Sequence, residues 1–234
     1  MISTHRDDVL RRYIQLRNVG LRLNHKIINR YASGDVIRNA ARDLGIKIEK
    51  RGGRRLMLFE SNAEIHFLMD YIVHDYILRG KRLFELYEEE VGASDEVEAE
   101  ILAAKKRSYV SLFEVNRKLP FSAQLYLTDL LGNRKIRIID FGMSLSVSVG
   151  TIIGFRLVPH KGFGMTSGTP LPFVGLHRRE VMRGFQRIMD KLRLPTESAR
   201  KYVAIFRLGR KYGITQMVEF SDRLIRGDRY YTTT

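Results

Sequence analysis

The run FSAQLYLTDLLGNRKIRIID, residues 121–140, marks the point where helical spacing gives way to short apolar segments cut by turn residues. Two such segments flank Gly132-Asn133, and both residue types accept the positive φ that a tight turn between antiparallel strands requires. The same character continues through MSLSVSVG (143–150), TIIGFRLVPH (151–160) and FGMTSG (163–168). Ser144, Ser146 and Ser148 alternate with Leu145, Val147 and Val149, which predicts a half-exposed strand. Five short strands within about 55 residues predict a small closed or nearly closed β-barrel of SH3-like or OB-like size over 119–174.

Upstream, the text is helical. A helix capped by Ser94 or Asp95 is expected to run to about Arg117, after the acidic segment EEEVGASDEVEAE breaks the chain at Gly92. Residues 63–91 read as one long central helix, with Ile65, Leu68, Met69, Ile72, Tyr76, Leu83 and Tyr87 on one face and Phe67, Tyr71, Ile77 and Phe84 on the others. Asp75 and Arg79 stand at the spacing of a helical ion pair. IKIEKRGGRRLMLF (46–59) predicts a β-hairpin turning at Gly52-Gly53, and Asp35–Leu44 a short helix with Asp35 as N-cap and Gly45 as its left-handed end. Residues 5–31 form an amphipathic helix opened by a capping box from Thr4 to Asp7. IRNAARDLGI (37–46) resembles the first helix and turn of a helix-turn-helix, but strand-like sequence stands where the recognition helix would follow. A winged variant would use Asp35–Leu44 as the reading helix and the hairpin as the wing; a structural hairpin covering a helix is the plainer reading.

Downstream, two basic helices are expected at 176–193 and 196–212, separated by Pro195 with Thr196 as N-cap, before a loose tail GDRYYTTT. The chain is therefore read as α+β in three parts: a helical region with an embedded hairpin (1–118), the barrel (119–174) and C-terminal basic helices (175–234).

The 234 residues carry a net charge of +15 and no cysteine, which excludes disulfides, thiolate zinc sites and a cysteine nucleophile. Charge is uneven. Residues 1–60 hold fourteen Lys and Arg against six Asp and Glu, residues 61–118 eight against twelve, and residues 175–234 fourteen against six. No apolar stretch approaches a membrane span and the first residues lack a signal-peptide core, so a cytoplasmic protein is expected.

Excess cations favour a polyanion. Arg179, Arg183, Arg187 and Lys191 repeat every four residues, a continuous positive row whose internal repulsion an anionic partner would relieve. Arg200, Arg207 and Lys211 add to it from the next helix, and Arg11, Arg22 and Lys26 lie on the polar, acid-free face of the first. Lys50, Arg51, Arg54 and Arg55 crowd the hairpin tip. On the barrel, Tyr126, Arg137, Phe155 and Arg156 are the residue types that stack on bases and hold backbone.

Other chemistries find less. His66, Asp70 and His74 share a helix face, but a span of eight residues is about 12 Å, too long for all three to bind one metal. GFGMTSG (162–168) lacks the third glycine of a phosphate loop, and neither a Walker sequence nor GxSxG occurs. The expectation is a non-catalytic nucleic-acid-binding protein without a cofactor, RNA ahead of DNA. The alternative is an adaptor for an acidic protein partner, and the third reading a metal-dependent enzyme around His66, Asp70 or His74.

Overall fold

The computed structural model describes residues 2–212, with side chains from residue 8. GDRYYTTT lies outside the described residues. Among the described residues eight α-helices and ten strands build an α+β fold in which N- and C-terminal helices flank a small closed β-barrel. Among the described residues no helix is long and apolar enough to cross a membrane.

The barrel is organised by β5 (Tyr109–Leu119), which pairs antiparallel with β6 (Gln124–Asp129) on one side and β8 (Ile152–His160) on the other. β7 (Arg134–Ile139) continues from β6 across the expected turn. The Asp129 carboxylate holds that turn by accepting from the N–H groups of Leu131 (3.2 Å) and Gly132 (2.9 Å). β9 (Phe163–Thr166) pairs parallel with β7 and antiparallel with the second half of β8, which closes the ring. β10 (Leu171–Phe173) adds to the first half of β8. Alternation then sorts the side chains. Phe113, Val115, Leu125, Leu127, Ile138, Ile153, Phe155 and Leu157 fill the barrel, with the Phe113 and Phe155 rings stacked at 4.1 Å. Val110, Leu112, Ile152, Leu171 and Phe173 face the helices and join a second, larger core.

Two segments differ from the sequence expectation here. The helix after Asp95 is α5 (Glu96–Lys106), and residues up to Arg117 belong to β5 instead. Their apolar residues serve two opposite faces, which suits a strand buried on both sides and leaves no polar helix face. MSLSVSVG does not form a strand: Phe141–Ser146 is a short helix, α6, capped by Asp140, whose Oδ1 accepts from the Met143 N–H (2.9 Å). Met143 and Val147, four residues apart, plug the barrel, while Ser144 and Ser146 donate back to the carbonyls of Phe141 (2.9 Å) and Gly142 (2.8 Å).

On the helical side, α1 (Ile2–Tyr31) starts upstream of Thr4, so the expected capping box lies within it. α2 (Gly34–Leu44) is capped by Ser33 rather than Asp35 and ends at Gly45 with φ 82°. The hairpin forms as expected from β1 (Lys47–Arg51) and β2 (Arg54–Leu58), with Gly52 and Gly53 at φ 54° and 79°. The expected long helix is interrupted: α3 (Ala63–His74) and α4 (Leu83–Glu90) are separated by a small hairpin of β3 (Ile77–Leu78) and β4 (Lys81–Arg82). Arg79 and Gly80 both take positive φ at its turn, and the Asp75–Arg79 pair does not form. Asp75 is buried against Arg156, and Arg79 reaches Glu90 (2.9 Å).

α7 (Arg178–Met189) and α8 (Glu197–Tyr212) pack on each other, and Thr196 Oγ1 accepts from the Ala199 N–H (3.0 Å) as the expected cap. α8 lies against the barrel at two glycines where a side chain would displace its neighbours: a Cβ at Gly154 would sit 2.4 Å from Ile205 Cγ2, and one at Gly209 2.3 Å from Leu171 Cδ2. Its other side packs the rings of Tyr202 and Phe206, tilted by 58° and 53°, against Phe67 of α3. α1 packs over α3, α4 and α5, so one apolar cluster runs from Tyr13 to Leu208.

Candidate functional site

Two places collect functional side chains: the outer face of α7, and a cleft between α1, α5 and the barrel. On α7, Val181 and Phe185 are buried and orient the helix, leaving Arg179, Arg183 and Arg187 exposed in a row. Lys191 extends that row just past the helix end. Among the described residues no carboxylate pairs with any of these four; Arg178, at the start of the helix, meets Glu114 at 3.7 Å. An isolated helix bearing like charges every four residues is destabilised by roughly 0.2–0.5 kcal/mol per pair.

The other expected cations are scattered over different elements. Lys50, Arg51, Arg54 and Arg55 are exposed, and strand register sets Lys50 opposite Arg55 and Arg51 opposite Arg54. Glu49 answers Arg51 at 3.1 Å. Arg11 and Arg22 are exposed on α1, whereas Lys26 pairs with Glu98 (2.5 Å). Lys211 is exposed at the end of α8, and Arg200 is half-buried. Arg207 is engaged inside the fold, donating to the carbonyls of Asp43 (2.8 Å) and Leu44 (3.3 Å) and so fastening α8 to the end of α2. On the barrel, Phe155 and Arg156 are buried; Tyr126 and Arg137 are cross-strand partners outside the barrel core. Arg156 meets Asp75, and Ser198 Oγ donates to Asp75 Oδ1 (2.6 Å), a junction of β8, α3 and α8.

The second place grows from the i, i+4 spacing of Asp70 and His74 on α3. His66 stays at the surface, so α3 brings together two of the three expected residues and not the third. His74 Nδ1 lies 3.1 Å from Asp70 Oδ1 and 3.0 Å from the Asp70 carbonyl, and its Nε2 lies 2.9 Å from Lys105 Nζ. As an ammonium Lys105 has only donors, and in that form Nε2 accepts and the ring proton sits on Nδ1 facing Asp70. Lys105 also donates to Asn24 Oδ1 (2.7 Å). Burial, and then the neighbouring Lys105 charge, lowers His74 to about 4, so the ring is neutral near pH 7. Burial lowers Lys105 to about 7, against the opposing pull of Asp70. Burial alone would raise Asp70; His74, Arg156 and Lys105 outweigh it and hold the carboxyl below its ordinary range.

His74 and Lys105 border a cleft of about 50 Å³, partly open to solvent, lined from α1 by Leu16, Arg17, Gly20, Leu21 and Asn24 and from the barrel by Val158, His160 and Met165 to Ser167. A metal has no set of ligands here: among the described residues no three His, Asp or Glu groups converge, and both His74 nitrogens are already engaged. Lys105, Asn24 and Arg17 escaped the sequence reading because each lies on a different helix from His74. The Asp70–His74 spacing was the only signal that led toward the cleft.

Residues 7–219 match the family of unknown function DUF7986, and the chain belongs to that family. No curated protein and no solved structure matches it.

Proposed function

We propose, for a chain whose family carries no assigned activity, that it binds nucleic acid through the phosphate backbone, RNA ahead of DNA, without catalysing a reaction. The observation that carries this reading is the exposed row of Arg179, Arg183, Arg187 and Lys191, which has no acidic partner among the described residues. The hairpin supports it: Lys50 faces Arg55 and Arg51 faces Arg54 across the strands, an arrangement that costs stability unless an anion sits between them. Phosphates would relieve both repulsions and release counterions. The barrel enters as an SH3-like or OB-like module offering Tyr126 beside Arg137.

The test is fluorescence anisotropy with single-stranded RNA, single-stranded DNA and duplex DNA across a salt series. Four phosphate contacts predict a log–log salt slope near −3 on single strands, at about −0.7 per contact. Reversing Arg183 and Arg187 to Glu should flatten the slope and weaken every ligand at least tenfold. Absence of binding near physiological salt would overturn this reading. It would favour the adaptor alternative, which uses the same cations as an interface for an acidic protein and is supported by the 89% exposed ring of Phe121 beside α6.

A further inference from the structure

The cleft between α1, α5 and the barrel differs in kind from the basic surface. It is small and partly enclosed, and one wall is apolar, formed by Leu16, Leu21, Ile101, Val158 and Met165. No carboxylate lines it. Asp140, nearby, is already engaged, accepting from Thr166 Oγ1 (3.0 Å) and the Met143 N–H (2.9 Å).

The polar wall leaves donors of Arg17 and Ser167 without a protein acceptor; the buried carboxylate oxygens of Asp70, beside His74 and outside the lining, also lack a hydrogen bond. Arg17 spends one Nη on the Thr166 carbonyl (3.1 Å), and its Nε is buried with no partner in the protein. Ser167 Oγ is likewise buried and unpartnered. Lys105 has three N–H groups as an ammonium and two protein acceptors, Asn24 Oδ1 and His74 Nε2. Buried donors of this kind are costly unless something accepts from them.

The loop that supplies Ser167 is built to admit the guanidinium. Gly168 has φ 116°, and a Cβ there would lie 3.0 Å from Arg17 Nη2, so the glycine allows Arg17 to lie against the backbone. This places GFGMTSG in a role its sequence did not announce: it forms one rim of a cationic cleft rather than a phosphate loop.

We propose that this cleft binds a small organic carboxylate, its oxygens accepting from Arg17, Ser167 and Lys105 and its hydrocarbon part lying on Leu16, Leu21, Ile101 and Met165. Two cationic donors and a hydroxyl suit an oxyanion, and the apolar wall selects an organic acid over an inorganic ion. The ligand is independent of nucleic acid, since none of these residues belongs to the α7 row.

Isothermal titration of the full chain with isobutyrate, with its uncharged amide and with inorganic phosphate tests the assignment. Isobutyrate should bind saturably with one site per chain, and the amide and phosphate at least tenfold more weakly. Arg17→Gln, at the half-exposed edge of the cleft, should weaken isobutyrate at least tenfold while the thermal unfolding profile stays cooperative. Ser167→Ala is the second variant, with a smaller loss, and serves if Arg17→Gln fails to fold. Three results overturn the proposal: no saturable isobutyrate binding, equal binding of the amide or of phosphate, or full affinity in folded Arg17→Gln. The α7 reversal of Arg183 and Arg187 should leave isobutyrate affinity unchanged, which separates this site from the polyanion surface.

Discussion

His74 and Lys105 show how burial makes basic side chains harder to protonate while leaving lysine the more basic of the two. A histidine lowered to about 4 and a lysine lowered to about 7 are both harder to protonate in the folded chain than in the unfolded one. The linkage sign follows. As pH falls from the ordinary histidine value of 6.5 toward 4, the unfolded chain takes a proton that folded His74 resists, so stability is lost across that window, by about 3 kcal/mol if this residue acts alone. Below that, Asp70 adds a loss of the same sign, because its folded carboxyl is held below its ordinary value. Between pH 10.5 and 7 Lys105 acts in the same sense, and stability falls with falling pH as the unfolded chain takes up a proton that folded Lys105 resists. Urea unfolding measured from pH 7 to pH 4 should show the acid loss, and His74→Gln, which keeps a donor and an acceptor, should flatten it. A parallel decline in His74→Gln would assign the loss to other carboxylates.

At the scale of elements, the hairpin and α7 illustrate charge placed where packing does not need it. The hairpin tip is held by backbone geometry, with both glycines at positive φ and five paired positions, while its four cations point outward. Arg51→Glu combined with Arg54→Glu should therefore leave folding within about 0.5 kcal/mol of the parent, because exposed substitutions away from caps and cores cost little. Urea midpoints provide the check, and a loss of several kcal/mol would mean that the tip is packed. α7 behaves alike on its outer face, since Val181 and Phe185, with Met182, Ile188 and Met189 beside them, seat the opposite face on the core. α8 is the contrast: Arg207 and Arg210 are spent on the carbonyls of Asp43, Leu44 and Gly45 and on the carboxylate of Glu64. Two helices of similar composition thus use their arginines oppositely, one for solvent and one for the fold.

For the molecule as a whole, Arg156 joins the parts. It extends from β8 to Asp75 at the end of α3, with Ser198 of α8 completing the contact and the Tyr202 ring 5.9 Å from the guanidinium. Arginine and aspartate are both fully buried there, so removing one partner leaves an uncompensated charge in the interior. Arg156→Met should lower unfolding free energy by about 3–5 kcal/mol. Helix and barrel signals, followed by far- and near-ultraviolet circular dichroism, should move together in a single transition. Separate transitions for the two signals would show that the barrel and the helices unfold independently, against the single apolar cluster that spans them.

What the sequence determined by itself was whatever short-range chemistry specifies. The Gly52-Gly53 hairpin, Gly45 as a helix end, Thr196 as a cap, the turn after Asp129 and the four-residue arginine spacing of α7 each depend on neighbours within a turn or two of chain. Four barrel strands, β6 to β9, were legible for the same reason, since alternation and glycine punctuation are local signals. Tertiary structure decided the rest. Residues 109–117 became a strand because two cores, one on each side, claimed their alternate side chains. The long helix broke at Asp75 because a buried arginine eighty-one residues away pairs with that carboxylate. MSLSVSVG alternates like a strand, yet Met143 and Val147 fill the barrel better from a capped helical turn. The cleft was invisible because Arg17, His74, Lys105 and Ser167 come from four separate elements, and their meeting is set by packing of α1 and α5 on the barrel. Local periodicity states what each segment prefers; only the burial of distant partners selects which preference is satisfied.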